Sequence, residues 1–224
     1  MQPNYIPWRG YFHQILLADV FVFYDDVQYD KHGWRNRNRV KTPNGTQWLT
    51  IPVKSVGVLE NNTPIKEVEI DWTKDWSRKH WATINQAYGK APYFKQYREG
   101  LKHFFQKKYD HLADLTIDLT IHLSNLVRNQ QPQFLRSSDM EGIQGIKTER
   151  LLQILQRLEA DHYISGPSAG DYLDESILTD NGITLEYMQY DYREYPQMYP
   201  PFDGQVSILD LLFMTGDEAI QYIL

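Results

Sequence analysis

The amino-acid sequence predicts an α/β protein, a three-layer Rossmann-like parallel sheet carrying a helical insertion. Three observations carry that expectation. Strand, helix and strand patterns follow one another at the start, with acids at the second strand's carboxyl end; a long central stretch has helical but no strand periodicity; and the last third alternates again. With 224 residues, 42% of them hydrophobic, the chain can fill the core of one α/β domain over 1–224, the helical insertion falling at about 74–129.

Residues 1–5 read as the tail of a first strand. Pro7 stands where a helix can start, and Tyr11, Phe12, Ile15 and Leu16 recur at helical spacing. Val20-Phe21-Val22-Phe23-Tyr24 is the β-branched and aromatic run of a buried strand, closed by Asp25-Asp26. Pro43-Asn44-Gly45 supplies a tight hairpin turn, with Trp48 to Val53 as the returning strand and Glu67 to Ile70 as a further short one. Residues 54–64 between them read as a loop able to close over a site.

From Lys74 to Asn129 three helices are expected, with stripes Trp76-His80-Ile84-Tyr88 and Leu112-Leu115-Leu119-His122-Leu126 as packing faces. Strands over 133–137, 162–165 and 183–188 alternate with helices over 147–158 and 174–179. Together with the first two strands they make a five-strand parallel sheet. A Tyr- and Pro-rich loop at 189–204 precedes an apolar helix, with Ser207 as N-cap and Asp210 as a short capping-box partner.

Composition narrows function. The absence of cysteine excludes a disulfide framework, a thiolate metal site and a thiol nucleophile. A formal charge of −6 argues against a protein that coats nucleic acid. No apolar run approaches the ~20 residues of a membrane span, and the first residues lack the pattern of a secretory signal, so a cytoplasmic location is expected. Sixteen tyrosines, nine phenylalanines and six tryptophans suit pockets as well as cores.

Three segments could carry chemistry. Gln2, Asn4, Tyr5, Gly10 and Tyr11 crowd a strand-to-helix turn whose free amides suit a phosphate or carboxylate; an ordinary proline-held connection is the plainer alternative. Next, four acids in 19–30 give way to five bases in 31–41. On an extended strand Arg35, Arg37 and Arg39 share one face, able to grip a di- or triphosphate, with Trp34, Asn36, Asn38 and Val40 on the other. A solvated edge strand is the competing explanation. Asp25 and Asp26 are candidates for base or divalent-metal ligand, although neighbours on an extended chain point apart. In the third segment Ser165, Gly166 and Ser168 end a strand in small residues, with Tyr172 following; it is neither a P-loop nor a nucleophile elbow. Of seven histidines without metal-site spacing, His13 and His32 are acid–base candidates.

The motifs Met1-Gln2-Pro3-Asn4-Tyr5-x-Pro7-Trp8-x-Gly10-Tyr11-Phe12, Ala18 to Gln28, Gly33 to Asn38 and Trp48 to Val53 resemble the WbqC-like family of bacterial proteins, as do Tyr163 to Gly166, Tyr172-Leu173 and Ser207 to Phe213 with Gly216. That resemblance covers nearly the whole chain. It implies a setting in O-antigen and other surface-polysaccharide biosynthesis and transfer chemistry on an activated sugar or nucleotide-type donor. The strand–turn–helix–strand order is also similar to nucleotidyltransferases with a HIGH-type motif, from which the chain departs by lacking a histidine pair in the turn.

The expected function is a transferase in which Gln2, Asn4, Tyr5, Gly10, Tyr11, Gln28, Lys31, Arg35, Arg37, Ser165, Gly166, Ser168 and Tyr172 bind substrate or phosphate. Asp25, Asp26 and His13 are the reacting groups, and a divalent metal is allowed as cofactor. The alternative is a non-catalytic protein that binds a glycan or a partner in an aromatic cleft; a nucleic-acid partner is disfavoured.

Overall fold

The computed structural model describes residues 1–54 and 56–224; Ser55, within the loop expected over 54–64, lies outside them. Among the described residues are seven α-helices and six strands in a mixed α/β arrangement. Helix α1 (Arg9–Leu17) leads to β1 (Val20–Phe23), and β2 (Arg37–Thr42) and β3 (Gly45–Thr50) form an antiparallel hairpin. Helices α2 (Trp76–Tyr88), α3 (Phe94–Gln106) and α4 (Leu112–Val127) fill the centre of the chain. Then come β4 (Gln133–Arg136), α5 (Lys147–Arg157), β5 (His162–Ser165), α6 (Glu175–Thr179), β6 (Thr184–Tyr187) and α7 (Ile208–Thr215).

The expected five-strand parallel sheet is not formed as one ladder. Parallel pairing occurs in two separate couples, β1 with β4 and β5 with β6. Residues 1–5, expected to be a strand, contribute a single residue: Met1 pairs along β1 through its ammonium to the Val22 carbonyl (2.7 Å) and its carbonyl to the Tyr24 amide (2.7 Å). Pro3 has no N–H to extend the ladder, and the backbone turns away at Ile6, whose φ is +38°. The β5–β6 couple instead packs on α5 and α6 around its own small core of Leu155, Leu178 and Ile183.

The departing segment is buried, so its backbone must find partners. Tyr5 N–H donates to the Trp34 carbonyl (3.1 Å), and Asn38 Nδ2 donates to the carbonyls of Tyr5 (3.1 Å) and Ile6 (2.9 Å). Pro7 accepts from the Ile208 amide (2.8 Å), and Arg39 from the Ser207 amide (2.9 Å), which brings α7 to the same junction. Ser207 is the N-cap expected for α7, its Oγ accepting from Leu209 N–H (3.2 Å). Asp210 does not complete a capping box; its carboxylate is buried and accepts from Gln197 Nε2 (2.7 Å) in the 189–204 loop.

Helices α2 to α4 share one apolar core with α1, β1 and α7, including Phe12, Phe23, Ile84, Leu119 and Phe213. Both expected stripes face it: Trp76, His80, Ile84 and Tyr88 are buried, as are Leu112, Leu115 and Leu119. Full burial of each large apolar side chain contributes about 1.5–3 kcal/mol. His80 is the polar member, its Nδ1 sharing a 2.9 Å hydrogen bond with the Tyr5 hydroxyl. Burial lowers its pKa to about 4.

Two outcomes follow from this packing. Replacing Asn38 by Ala strands the two carbonyls of the buried turn and is expected to cost about 2–3 kcal/mol in urea unfolding, against less than about 0.5 kcal/mol for Asn44→Ala in the exposed hairpin turn. Because His80 binds its proton more weakly folded than unfolded, its contribution is complete above pH 6.5 and is lost as pH falls toward about 4. The difference in unfolding free energy between the native protein and His80→Gln should therefore vary with pH across that window and level off above it.

Candidate functional site

Alternation along the hairpin sorts the basic run. Asn36, Asn38 and Val40 are buried on the inner face, while Arg37 and Arg39 stand on the outer one. Arg37 pairs across the hairpin with Thr50 and Arg39 with Trp48, so all four share that outer face. The alternation fails before β2 begins, because residues 33–36 are bent rather than extended. Trp34, expected on the same face as Asn36, Asn38 and Val40, lies outside and stacks on Trp48, ring centroids 5.4 Å apart and planes 28° from parallel. Arg35 turns inward, donating to Asn4 Oδ1 (2.5 Å) and Asp30 Oδ2 (3.2 Å), with Nη1 3.5 Å from the Gln2 carbonyl.

Between this hairpin and the turn at 56–62 lies a cleft of about 420 Å³. Lys31, His32 and Arg37 bring basic groups to it, and Glu60 brings the single carboxylate among its lining residues. Arg37 is held with its guanidinium 4.7 Å from the Trp48 ring centroid and Nη2 donating to the His32 carbonyl (2.5 Å); its Nε has no partner. Asn36 donates through Nδ2 to the Ile51 carbonyl (2.8 Å), and its buried Oδ1 is unpaired. Tyr29 also lines the cleft, and burial, reinforced by the Asp30 carboxylate, raises its pKa to about 12, so its hydroxyl keeps its proton. A cavity of this size lined by two cations suits a small anion, while the unpaired Arg37 Nε and Asn36 Oδ1 are themselves closed off from solvent.

A second concentration of charge lies where β1 and β4 end side by side. Asp25 is fully buried and accepts from Arg136 Nε (2.8 Å), Ser138 N–H (3.1 Å), Ser138 Oγ (3.0 Å) and Ser137 Oγ (3.3 Å). Asp26 accepts from Ser137 Oγ (2.6 Å) and Arg150 Nη2 (2.5 Å). The two carboxylates thus converge on one serine instead of pointing apart, because β1 stops at Phe23 and the chain is no longer extended there. Arg136 also spans to Asp114 (2.8 Å). With guanidiniums already on both carboxylates, the pair is not arranged as a divalent-cation site, and among the described residues no cluster of three or more His, Asp or Glu has that form.

The remaining candidates are distributed around α1. Tyr11 donates from its hydroxyl to the Gln2 carbonyl (3.1 Å), so Gln2, Asn4, Tyr5, Tyr11 and Arg35 form one cross-braced turn. Gly10 is approached by the Trp8 indole, which would lie 2.3 Å from any Cβ there. His13 shares a 2.7 Å hydrogen bond with the Tyr192 hydroxyl, and burial lowers its pKa. Gly166 faces Gln14 and Tyr190, Ser165 is buried with Oγ 3.4 Å from the Tyr163 hydroxyl, and Gln28, Ser168 and Tyr172 are exposed. Residues 2–12 therefore meet residues 30–38, and Gly166 meets α1 and the 189–204 loop.

Sequence reasoning passes over Asn36, Thr50 and Glu60 in the cleft and Arg136, Ser137, Ser138 and Arg150 around the carboxylates. Arg136-Ser137-Ser138 carries a usable signal, since it ends a parallel strand just as Asp25-Asp26 does. Arg150 carries none, being one cation on a solvated-looking helix. Arg136→Ala should leave the Asp25 carboxylate buried without a counter-charge and cost about 3 kcal/mol in urea unfolding, much of it recovered in Arg136→Ala combined with Asp25→Asn.

Comparison with known proteins agrees with the sequence motifs. A family model described as the WbqC-like protein family matches residues 2–222. An uncharacterized protein of Mycobacterium tuberculosis is 40% identical over 225 residues, covering 100% of this chain and 95% of its own. No solved structure matches. The extent of the family match and the full-length relative together show that the chain belongs to the WbqC-like protein family.

Proposed function

We propose that this protein is a transferase of bacterial surface-polysaccharide assembly that binds a phosphorylated or nucleotide-type donor. The basic cleft beside the hairpin carries the reading: in a chain of net charge −6, Lys31 and Arg37 are brought together over a cavity large enough for a small ligand. Lys31 and Arg37 hold the donor's phosphate, while Tyr29 orients its hydroxyls and Asn36 fixes the Ile51 carbonyl beneath the cleft. Arg35, with Gln2, Asn4 and Tyr5, shapes the turn that supports them. Asp26, less enclosed than Asp25, exchanges its Arg150 contact to take the proton of an acceptor hydroxyl as that oxygen bonds to the donor's reacting carbon and the bond from that carbon to the phosphate oxygen breaks, its electrons leaving with the phosphate. Gly10 and Tyr11 belong to that same buried turn, and His13, Ser165, Gly166, Ser168, Gln28 and Tyr172 are assigned to the border of the donor or the acceptor.

This reading carries with it a Rossmann-like plan for one α/β unit, with residues 74–129 inserted and the carboxyl ends of both parallel couples turned to the reacting side. The approach of Gly166, just after β5, to Gln14 of α1 supports it. A second reading, a glycan- or partner-binding protein without catalysis, is favoured by one observation: Asp25 and Asp26 are both engaged by arginines.

The test is calorimetric titration with inorganic diphosphate and with nucleotide sugars, followed by assay for transfer to hydroxyl acceptors. Lys31→Ala and Arg37→Ala are each expected to weaken anion binding about 10-fold with the fold retained, as for the loss of one charge-assisted hydrogen bond. Absence of binding by any phosphorylated ligand would sink the donor-site reading. Binding without turnover of any donor would favour the binding protein over the transferase.

A further inference from the structure

The outer face of the hairpin continues past the cleft into a pair of exposed indoles. Trp34 is 41% and Trp48 46% exposed, an unusual state for two large apolar rings already stacked on each other. Arg37 joins the two features, lining the cleft while its guanidinium lies 4.7 Å from the Trp48 ring. Arg39 approaches the same ring at 5.8 Å. Arg37, Arg39 and Trp48 thus share one face of the two-stranded ribbon, in register through Arg37↔Thr50 and Arg39↔Trp48, and Trp34 is laid over Trp48 from the bend that precedes β2.

We infer that the cleft's ligand is a nucleotide, its phosphates on Lys31 and Arg37 and its base stacked on the exposed indole of Trp34. This rests on the anion-binding reading of the cleft and narrows it from phosphorylated donors in general to those carrying a nucleobase. Trp48, covered in part by Trp34 and Arg37, acts as the backing that holds the Trp34 ring in place. A stacking platform is tolerant of base identity, since every base offers a π-face, so pyrimidine and purine nucleotides are both accepted. A bare sugar phosphate satisfies the cations but leaves the indole face uncovered. The stacked base is therefore the source of preference for a nucleotide.

The experiment is titration of the full chain with inorganic diphosphate, UDP and ADP, read by calorimetry and by tryptophan fluorescence. Both nucleoside diphosphates are expected to bind about 10-fold more tightly than inorganic diphosphate and to quench fluorescence, in line with one base–aromatic stack. In Trp34→Ala the 10-fold advantage disappears while inorganic diphosphate binds as before; in Trp34→Phe, which keeps a ring, most of the advantage remains. The inference is overturned if the nucleoside diphosphates bind no better than diphosphate, or if their advantage survives Trp34→Ala. If diphosphate itself fails to bind, or binds equally to Lys31→Ala and Arg37→Ala, the cleft is not an anion site and the proposed function falls first.

Discussion

The amide of Asn38 holds together a part of the molecule that has no secondary structure of its own. Residues 5–7 are buried, yet they belong to neither helix nor strand, and a buried backbone without partners costs about 1–3 kcal/mol for each stranded group. Asn38 answers two of those carbonyls with one side chain, and Trp34 answers the Tyr5 amide. Ile6 sits at a positive φ that a β-branched residue adopts only under constraint. The direction in which α1 departs, the seating of the hairpin and the docking of α7 against Pro7 all depend on that junction. The cleft inherits its shape from the same place, since Asn36 and Arg37 immediately precede Asn38 in the chain.

Charge is distributed by register rather than by composition. The basic run at 31–41 divides into distinct tasks as the chain passes from bend to strand. Arg35 braces the N-terminal turn, Arg37 faces the cleft, and Arg39 donates to the Gln205 carbonyl (3.0 Å) near Asp203. Lys41 is buried and reaches Gln197 Oε1 (2.7 Å), whose amide nitrogen in turn donates to Asp210. Burial raises the Asp210 pKa, and the nearby Lys41 opposes that rise. What reads in one dimension as an anion-binding patch is therefore mostly internal scaffolding. Of the five bases in the run, Lys31 and Arg37 are the two that line the cleft.

The aromatic loop after β6 obeys a similar economy. Arg9, buried at the start of α1, donates to the carbonyls of Arg193 (2.9 Å) and Tyr222 (3.3 Å) and lies among the rings of Tyr192, Tyr195 and Phe202. Trp8 meets Tyr190 edge-on at 5.0 Å. Rings that in sequence suggest a binding cleft here serve to fasten an irregular segment, with cation–π attraction adding to their burial. Indoles left open to solvent occur instead on the hairpin.

Local pattern is enough for most elements. Helical spacing locates α1 to α5 and α7 to within a few residues, the Pro43-Asn44-Gly45 turn marks the hairpin, and Ser207 marks a cap, because each depends on interactions within a few residues of the chain. That Lys31 and Arg37 lie in a basic run and that Asp25-Asp26 close a strand is legible as well, since charge segregation and strand ends are visible in one dimension. Pairing is not: whether strands over 1–5, 20–24 and 162–165 share one ladder depends on backbone contacts between distant segments, and Pro3 with the turn at Ile6 diverts the first of them. Nor is the sorting of arginines legible, because the bend at 33–36 exchanges the sides of Trp34 and Arg35. The convergence of Asp25 and Asp26 on Ser137, and the gathering of Asn36, Thr50 and Glu60 around one cavity, require the folded chain. Hydrogen-bond partners more than a hundred residues apart are chosen by burial, which no local spacing records.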